Sequence, residues 1–267
     1  MQEDEVRWRK EQEFFDGEEY SEEPIPANTI ERYAQCSKPF LAPEYAFYSI
    51  GDVRNKRVLE VGCGDGGNAV LLALKGAYVV GIDISPRAIQ IAKERAKLHA
   101  VQDRVEFFAL PVEAYIARAE GRFDVICGFA VLHHLLPVLK EFVEQLKELS
   151  TERTIFLFSE PVSLSASLRR LRLALPLAVH GTEDERPLEL ADLAILSQHL
   201  PTMETRLFGF LLRIWGRFIG GRYEDYGFFA TRLFDMLAKI DWAILSLPMS
   251  RALASTAVLR AGPASSN

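Results

Sequence analysis

The sequence predicts an α/β protein built on a parallel, doubly wound sheet. Three observations indicate this class. Apolar runs alternate with helix-like runs between about residues 56 and 160, and a glycine-rich turn, VGCGDGG, follows the first apolar run. The 267 residues, of which 49% are hydrophobic and 25% charged, suit a globular protein with one large domain. We therefore expect a single sheet with helices on both sides.

The elements are predicted from local patterns. Residues 57–61 are apolar and end at glycines, which predicts the first strand. Residues 85–100 begin with Ser85 and Pro86, a helix-start signal, and continue with amphipathic spacing. The same criteria predict further strands at 78–83, 104–108, 123–129, 154–159, 202–212 and 255–261. They predict further helices at 67–75, 137–149, 188–199 and 231–245.

Two zones flank this alternation. Residues 1–52 are first acidic and then aromatic, and prolines divide them, so we predict an N-terminal helical cap there. Residues 53–267 form the main domain, with a lid insertion at about 162–200 and a variable segment at about 212–230 that is rich in aromatic residues and arginines. We expect both zones to enclose a small-molecule ligand, although they are equally compatible with an ordinary core and lid.

Composition and charge limit the function classes. The formal charge of −6 argues against nucleic acid as a bulk partner. The odd set Cys36, Cys63 and Cys127 has no metal-site spacing, so we predict free thiols and no metal. The acidic start lacks the apolar segment of a secretory signal, and no apolar stretch is long enough to span a membrane, so we expect a cytoplasmic protein. The apolar, arginine-containing residues 163–178 leave peripheral membrane contact open. Nothing in the sequence predicts the oligomeric state.

The glycine-rich turn fits two kinds of nucleotide ligand. Gly62, Gly64 and Gly67 satisfy the dinucleotide pattern G-x-G-x-x-G, whereas Gly62, Gly64 and Gly66 satisfy G-x-G-x-G. Glu60, two residues before the first glycine, favours the second pattern, because a carboxylate there would repel a pyrophosphate and help to orient a cationic ligand. The turn alone does not choose between the two classes.

A second motif, GIDIS at residues 81–85, supports an adenosine ligand. Asp83 follows the glycine turn by about 20 residues, where an acid is placed to bind ribose hydroxyls. Ile84 then offers an apolar face to adenine. The alternative is that Asp83 only caps the next helix. Since both nucleotide classes use such an acid, this motif does not distinguish them.

The third motif, FDVICGFAVLHHL at residues 123–135, completes a family pattern. With EVGCGDG and GIDIS, it resembles the class I S-adenosylmethionine-dependent methyltransferases of the small-molecule type over about residues 56–160. The resemblance implies a Rossmann-like, seven-stranded sheet, mostly parallel with an antiparallel last strand. It also implies S-adenosyl-L-methionine as the cofactor and O- or N-methylation of a small, apolar or aromatic acceptor.

The resemblance also implies roles for individual residues. Cofactor binding would fall to residues in three segments: Glu60, Gly62, Cys63, Gly64 and Gly66; Asp83 and Ile84; and Gly128 and Phe129. The family's acid after the third strand is missing, because Pro111 stands near its place, so the adenine contact would pass to Pro111, Val112 or Glu113. His133 and His134 follow the fourth strand and are the candidate catalytic bases, unless the pair is only a packed signature of the fold.

Two other function classes stay open at this point. An NAD-dependent oxidoreductase would use the same glycine turn, although Glu60 and the segment 123–135 argue against it. A non-catalytic module that binds S-adenosylmethionine would explain the unusual Pro111. The main hypothesis is a small-molecule methyltransferase.

Overall fold

A computed structural model describes residues 2–119, 121–165, 186–200, 202–221 and 223–263. These residues form seven strands and ten α-helices. The strands are β1 (Arg57–Val61), β2 (Tyr78–Asp83), β3 (Val105–Ala109), β4 (Val125–Phe129), β5 (Ile155–Pro161), β6 (Glu204–Phe208) and β7 (Thr256–Ala261). The helices are α1 (Gln2–Asp16), α2 (Ala27–Gln35), α3 (Ala42–Ile50), α4 (Gly67–Leu74), α5 (Pro86–Leu98), α6 (Val112–Ile116), α7 (Leu139–Glu148), α8 (Leu190–His199), α9 (Leu211–Phe218) and α10 (Phe228–Ile244).

The strands form one sheet in the order β3-β2-β1-β4-β5-β7-β6. Strands β1 to β5 are parallel, and β7 runs antiparallel to both β5 and β6. The predicted doubly wound, mostly parallel sheet with an antiparallel last strand is therefore confirmed. The strand order reverses between β1 and β4, and ligands of such sheets bind at the carboxyl ends of the strands beside this point.

Each face of the sheet carries its own apolar core. On one face, Phe142 of α7 packs with Leu59 and Phe158. On the other, Phe47 of α3 packs with Val58 and the α4 residues. Phe47, Phe142, Phe158 and Leu59 are at most 1% exposed. Full burial of one such side chain stabilises the fold by about 1.5–3 kcal/mol. The two cores hold the carboxyl ends of the strands as a rigid platform.

Several element boundaries differ from those predicted. The strand predicted at 202–212 ends at Phe208, because Gly209 adopts a φ of 82° and turns the chain into α9. Helix α6 was not predicted, since its five residues are too few to show a helical period. Helix α10 begins at Phe228, three residues before its predicted start.

The flanking zones are only partly described. Helices α1 to α3 lie within residues 1–52, and α3 packs against β5 and β7. Residues 166–185 lie outside the described residues, and with them the middle of the expected lid insertion and most of the stretch 163–178. No helix in the described ranges is both long and apolar enough to cross a membrane.

The cysteines are all free thiols. Cys63 and Cys127 are buried, and burial raises the pKa of both thiols well above the usual value. The reactive thiolate form is therefore disfavoured at both positions. Within the part of the chain that the structure describes, no cluster of His, Cys, Asp and Glu side chains could hold a metal ion.

Candidate functional site

A cleft opens where the strand order reverses, at the carboxyl ends of β1, β2 and β4. It encloses about 800 Å³, including its open mouth. Its floor contains Gly62 and Gly64 from the glycine turn and Asp83 and Ile84 from the end of β2. Segments that follow β3 and β4 form its walls, and α1 lies across it. The cleft therefore brings together motifs that are far apart in the sequence.

The three glycines of the turn have positive φ angles for different local reasons. A Cβ on Gly62 would lie 2.6 Å from Val131 Cγ2. The close approach of the chain after β4 therefore requires a glycine at this position. A Cβ on Gly66 would lie 2.7 Å from the Ala92 Cβ, so Gly66 allows α4 to approach α5 and does not line the cleft. Gly64 has open space on that side and does line the cleft. Gly62 and Gly64 thus present their backbone to the cleft.

Asp83 ties the end of β2 to the glycine turn. Its Oδ2 accepts the Gly64 N–H at 2.7 Å, and its Oδ1 accepts the Ser85 N–H at 2.9 Å. Burial raises the pKa of Asp83, and these backbone bonds act against that effect. The helix cap of α5 is Ser85, whose Oγ accepts the Ala88 N–H at 3.0 Å. Asp83 is therefore not the helix cap and faces the cleft.

Glu60 lies beneath the turn rather than on the cleft surface. It is 1% exposed, and its Oε2 has no hydrogen-bond partner among the described residues. Burial raises the pKa of Glu60 well above its usual value, and the nearby Asp65 and Asp83 raise it further. A buried acid of this kind needs either a proton or a cation close by. This unsatisfied oxygen fits the cationic aminoacyl end of S-adenosylmethionine above the turn.

The chain after β4 is held by Glu160, a fully buried residue of β5. Glu160 Oε1 accepts the N–H groups of Val131 and Leu132, both at 2.9 Å. Its Oε2 lies 3.0 Å from His133 Nδ1. Ala130, which precedes Val131, has a φ of 56°, a strained conformation for a residue with a side chain. One carboxylate thus fixes both a strained turn and an imidazole ring.

The two histidines have different surroundings. His134 lines the cleft, and its ring stands edge-on to Phe15 of α1, with centroids 5.2 Å apart. His133 does not line the cleft, and its ring lies 3.9 Å from that of His134. His133 is therefore the anchored ring and His134 the ring at the cleft wall.

Three of the other predicted cofactor residues lie away from the cleft. Cys63 is buried beside Gly81, and Gly128 is packed beneath Val131. The Phe129 ring stacks on Phe47, on the α3 side of the sheet, with centroids 5.9 Å apart. Any contact from Cys63, Gly128 or Phe129 to a ligand would be made by backbone atoms.

Pro111, Val112 and Glu113 line the cleft where adenine is expected. Pro111 precedes α6, so the N-terminal N–H groups of α6 lie near this wall. The Glu113 carboxylate binds Arg7 of α1 at 2.6 Å. In this structure Glu113 therefore holds α1, and Pro111 and Val112 offer the free surface.

Helix α1 belongs to the predicted N-terminal cap and lies across the cleft. The sequence predicted a cap over the ligand but did not indicate that this helix would provide it. Arg7, Trp8 and Phe15 of α1 line the cleft. Asp16, the last residue of α1, accepts a hydrogen bond from Ser85 Oγ at 2.5 Å. The signal that could have indicated α1 is weak, because the helix is mostly charged and its apolar residues, such as Val6, Trp8 and Phe15, are few.

A second, open cavity of about 1,100 Å³, including the solvent at its mouth, lies between α2–α3 and α9–α10, beside the end of β5. Arg32, Arg213 and Tyr223 supply polar groups to its wall, and Phe208 and Phe234 supply apolar ones.

The aromatic residues of the predicted variable segment, at about 212–230, divide into two sets. Trp215, Tyr223 and Tyr226 pack inward, and Phe218, Phe228 and Phe229 are exposed. The side chains of Arg217 and Arg222 lie outside the described residues.

The chain resembles proteins of known sequence and structure. Over 112 residues it is 31% identical to the ubiquinone biosynthesis O-methyltransferase of Psychrobacter arcticus, a match that covers 42% of this chain and 43% of that protein. Thus, the match spans about two fifths of the curated relative's length. In fold it is similar to a SAM-dependent methyltransferase from Archaeoglobus fulgidus, with a TM-score of 0.55 and 14% identity over 90% of this chain and all of that one.

A further solved structure has the same fold. The SAM-dependent methyltransferase from Geobacter sulfurreducens, crystallised with S-adenosyl-L-homocysteine, gives a TM-score of 0.51 at 17% identity, covering 94% of this chain and 96% of that one. The protein family described as a methyltransferase domain matches residues 52–205, more than half of the chain. The chain therefore belongs to this methyltransferase family, the class I proteins whose cofactor is S-adenosylmethionine.

Proposed function

We propose that the chain transfers a methyl group from S-adenosylmethionine to a hydroxyl oxygen of a small acceptor with an apolar or aromatic body. The observation that carries this proposal is the histidine pair beside the cofactor cleft, with His133 anchored by the buried Glu160. A hydroxyl nucleophile must lose a proton during transfer, and a positioned imidazole suits that task.

Cofactor binding is assigned to the cleft residues. The Asp83 carboxylate would hold the ribose hydroxyls, with Ile84 and the Pro111–Val112 backbone against adenine. The cationic aminoacyl end would lie near Glu60, whose buried Oε2 has no partner among the described residues. When bound, the cofactor supplies a methyl group already activated on a sulfonium.

The protein's own task is then alignment, exclusion of water and removal of a proton. Phe15 and Trp8 of α1 line the cleft and would shield a bound cofactor from water. Glu160 accepts a hydrogen bond from the Nδ1–H of His133, which leaves Nε2 as the basic atom. The proposed bases are His134, which lines the cleft, and His133, whose ring lies 3.9 Å from it, and Glu160 is the positioning residue of His133.

The acceptor is the least constrained part of the proposal. The second cavity combines apolar walls with Arg213 and with Arg32, whose Nε lies 2.9 Å from a Glu44 carboxylate oxygen. Its lining suits an aromatic or apolar molecule, and Arg213 supplies a charge that would favour an anionic group on it. The name of the Psychrobacter relative supports O-methylation. That match covers only 42% of this chain, so it gives no acceptor for this protein.

A transfer assay tests the proposal. The full chain is incubated with S-adenosylmethionine carrying a deuterated methyl group and with a panel of phenols, each paired with the corresponding aniline. We expect the mass label in the phenol, with or without a carboxylate substituent. Label only in anilines would contradict O-methylation, and no label in any acceptor would favour a non-catalytic module that binds the cofactor.

A further inference from the structure

The outer face of α9 and α10 is apolar, which is unusual for helices at the edge of a sheet. We call this surface the α9–α10 face. It consists of ten exposed large side chains that belong to the two helices or to the residues just after them: Ile214, Phe218, Ile219, Phe228, Phe229, Leu233, Met236, Ile240, Leu247 and Met249. Exposed large apolar side chains scattered singly are ordinary, whereas a concentration of them on neighbouring elements indicates an interaction surface.

The apolar residues of α10 form a continuous stripe. Phe229, Leu233, Met236 and Ile240 are spaced by four, three and four residues, so they share one side of the helix. The opposite side carries Ala238, which is fully buried. Helix α10 is therefore apolar on both its inner and its outer side, and its packing against the domain does not explain the outer stripe.

Two aromatic rings and a methionine project furthest from this surface. Phe218 is 84% exposed, Phe229 is 85% exposed and Met249 is 96% exposed. The transfer of a phenylalanine or methionine side chain from water to an apolar phase is favourable in free energy. Such side chains are the usual means by which an interfacial helix enters the outer few ångströms of a bilayer.

The solvent-facing charges of α10 itself are cationic, whereas Asp225, which precedes the helix, is an exposed acid. Arg232 and Lys239 are exposed. The two acids of α10 are engaged elsewhere. Asp235 binds Lys38 at 2.6 Å and the Tyr223 hydroxyl at 2.9 Å. Asp241, 2% exposed, accepts the N–H groups of Leu211 and Leu212. The chain as a whole carries a charge of −6, so this cationic rim is a local feature.

We propose that the α9–α10 face docks on the anionic surface of a lipid bilayer. The charge pattern favours this occupant, because an anionic lipid surface attracts Arg232 and Lys239 beside the apolar side chains that would enter it. Leu212, Arg213 and Phe234 line the second cavity from the inner sides of the same helices. The membrane-facing surface is thus the outer wall of that cavity. Docking does not depend on the proposed methyl transfer.

The test is co-sedimentation of the full chain with phosphatidylcholine vesicles and with mixed phosphatidylcholine–phosphatidylglycerol vesicles. We expect binding to the mixed vesicles and a decrease of about tenfold or more in the triple variant Phe218→Ser, Phe229→Ser, Met249→Ser. The matched control is Tyr78→Ser, Leu98→Ser. It removes exposed apolar side chains near the opposite edge of the sheet and should bind like the unaltered chain.

Charge-reversal variants separate the contribution of the cationic side chains from that of the apolar side chains. Arg232→Glu with Lys239→Glu should remove the preference for anionic vesicles, and the response of unfolding temperature to S-adenosylhomocysteine verifies that each variant is folded. Equal sedimentation of the triple variant and the unaltered chain would overturn the proposal, as would no sedimentation of the unaltered chain. It would also be overturned if light scattering showed a dimer that the triple variant dissociates, because the face would then be a protein interface.

Discussion

At the residue scale, the carboxylate of Glu160 connects backbone geometry to chemistry. Its two oxygens accept three hydrogen bonds, from two backbone N–H groups after β4 and from His133 Nδ1. Hydrogen bonds to a charged group contribute about 1.5–3 kcal/mol each. The strained Ala130 conformation and the fixed imidazole are therefore maintained by the same buried side chain.

The proposed base predicts a specific loss of activity. His133→Asn should lower kcat about 100-fold or more, since a positioned general base contributes that much, with little change in the Kd of S-adenosylhomocysteine. Glu160→Gln, which keeps the shape but not the charge, should lower kcat less and also leave cofactor binding in place. His199→Asn, at the end of α8, is the matched control and should be fully active. Unchanged turnover in both His133→Asn and His134→Asn would contradict a histidine base.

Sequence patterns predicted some site residues and missed others for a physical reason. Asp83 and the glycine turn have fixed local spacing, so the sequence indicates them directly. Glu160 lies 27 residues after His133, and only the pairing of β4 with β5 brings the two together. The ion pair of Arg7 with Glu113 spans 106 residues and has no sequence signal at all.

At the element scale, α1 is the part of the molecule that completes the cleft. It is held within the helix, where Arg7 binds Glu113, and at its C-terminal end, where Asp16 binds Ser85 at the start of α5. Arg87 adds hydrogen bonds to the backbone carbonyls of Asp16 and Glu18, at 2.9 and 3.0 Å. These contacts place Trp8 over the cleft, so a bound cofactor should lie against this indole.

Tryptophan fluorescence can report on α1. Trp8 lines the cleft, whereas the other two tryptophans, Trp215 and Trp242, do not. Adding S-adenosylhomocysteine should change the emission of the unaltered chain and of Trp215→Phe, but not that of Trp8→Phe. Arg7→Ala should weaken binding about fivefold, the value of one partly exposed ion pair. A full signal in Trp8→Phe would show that α1 does not cover the bound cofactor.

Elements were predictable where their sequence period is long enough to observe. The strands β1 to β5 lie close to their predicted positions, because buried parallel strands are apolar runs bounded by turn residues. Helix α6 has only five residues, and β6 is shortened by the turn at Gly209. The placement of α1 over the cleft depends on side-chain contacts between distant elements, which no local period records.

At the scale of the whole molecule, several acids lose solvent contact when the chain folds. Burial raises the pKa of Glu44 from 4.5 to about 7, and it raises the pKa of Glu60, Asp83 and Asp241 as well. A raised pKa in the folded state means that folding favours the protonated acid. The resulting stability is fully present below the unfolded pKa and is lost as the pH rises through the folded pKa.

We therefore expect the ligand-free chain to become less stable as the pH increases. The free energy of unfolding should fall by about 2–4 kcal/mol between roughly pH 5 and pH 8. Glu44→Gln should show a smaller fall, since that residue no longer titrates. Urea unfolding at a series of pH values gives the measurement. A stability that rises over this range, or an identical slope in Glu44→Gln, would contradict the role of burial.

The whole arrangement depends on one ligand, S-adenosylmethionine, in the cleft at the reversal of the strand order. Calorimetric titration with S-adenosylhomocysteine tests this most directly, using the unaltered chain, Asp83→Asn, and Asp103→Asn as a control on an exposed acid outside the cleft. We expect one site on the unaltered chain and on the control, about tenfold weaker binding to Asp83→Asn, and no heat with NAD. Binding of NAD in place of S-adenosylhomocysteine, or equal affinity in Asp83→Asn, would contradict the assignment of the cleft.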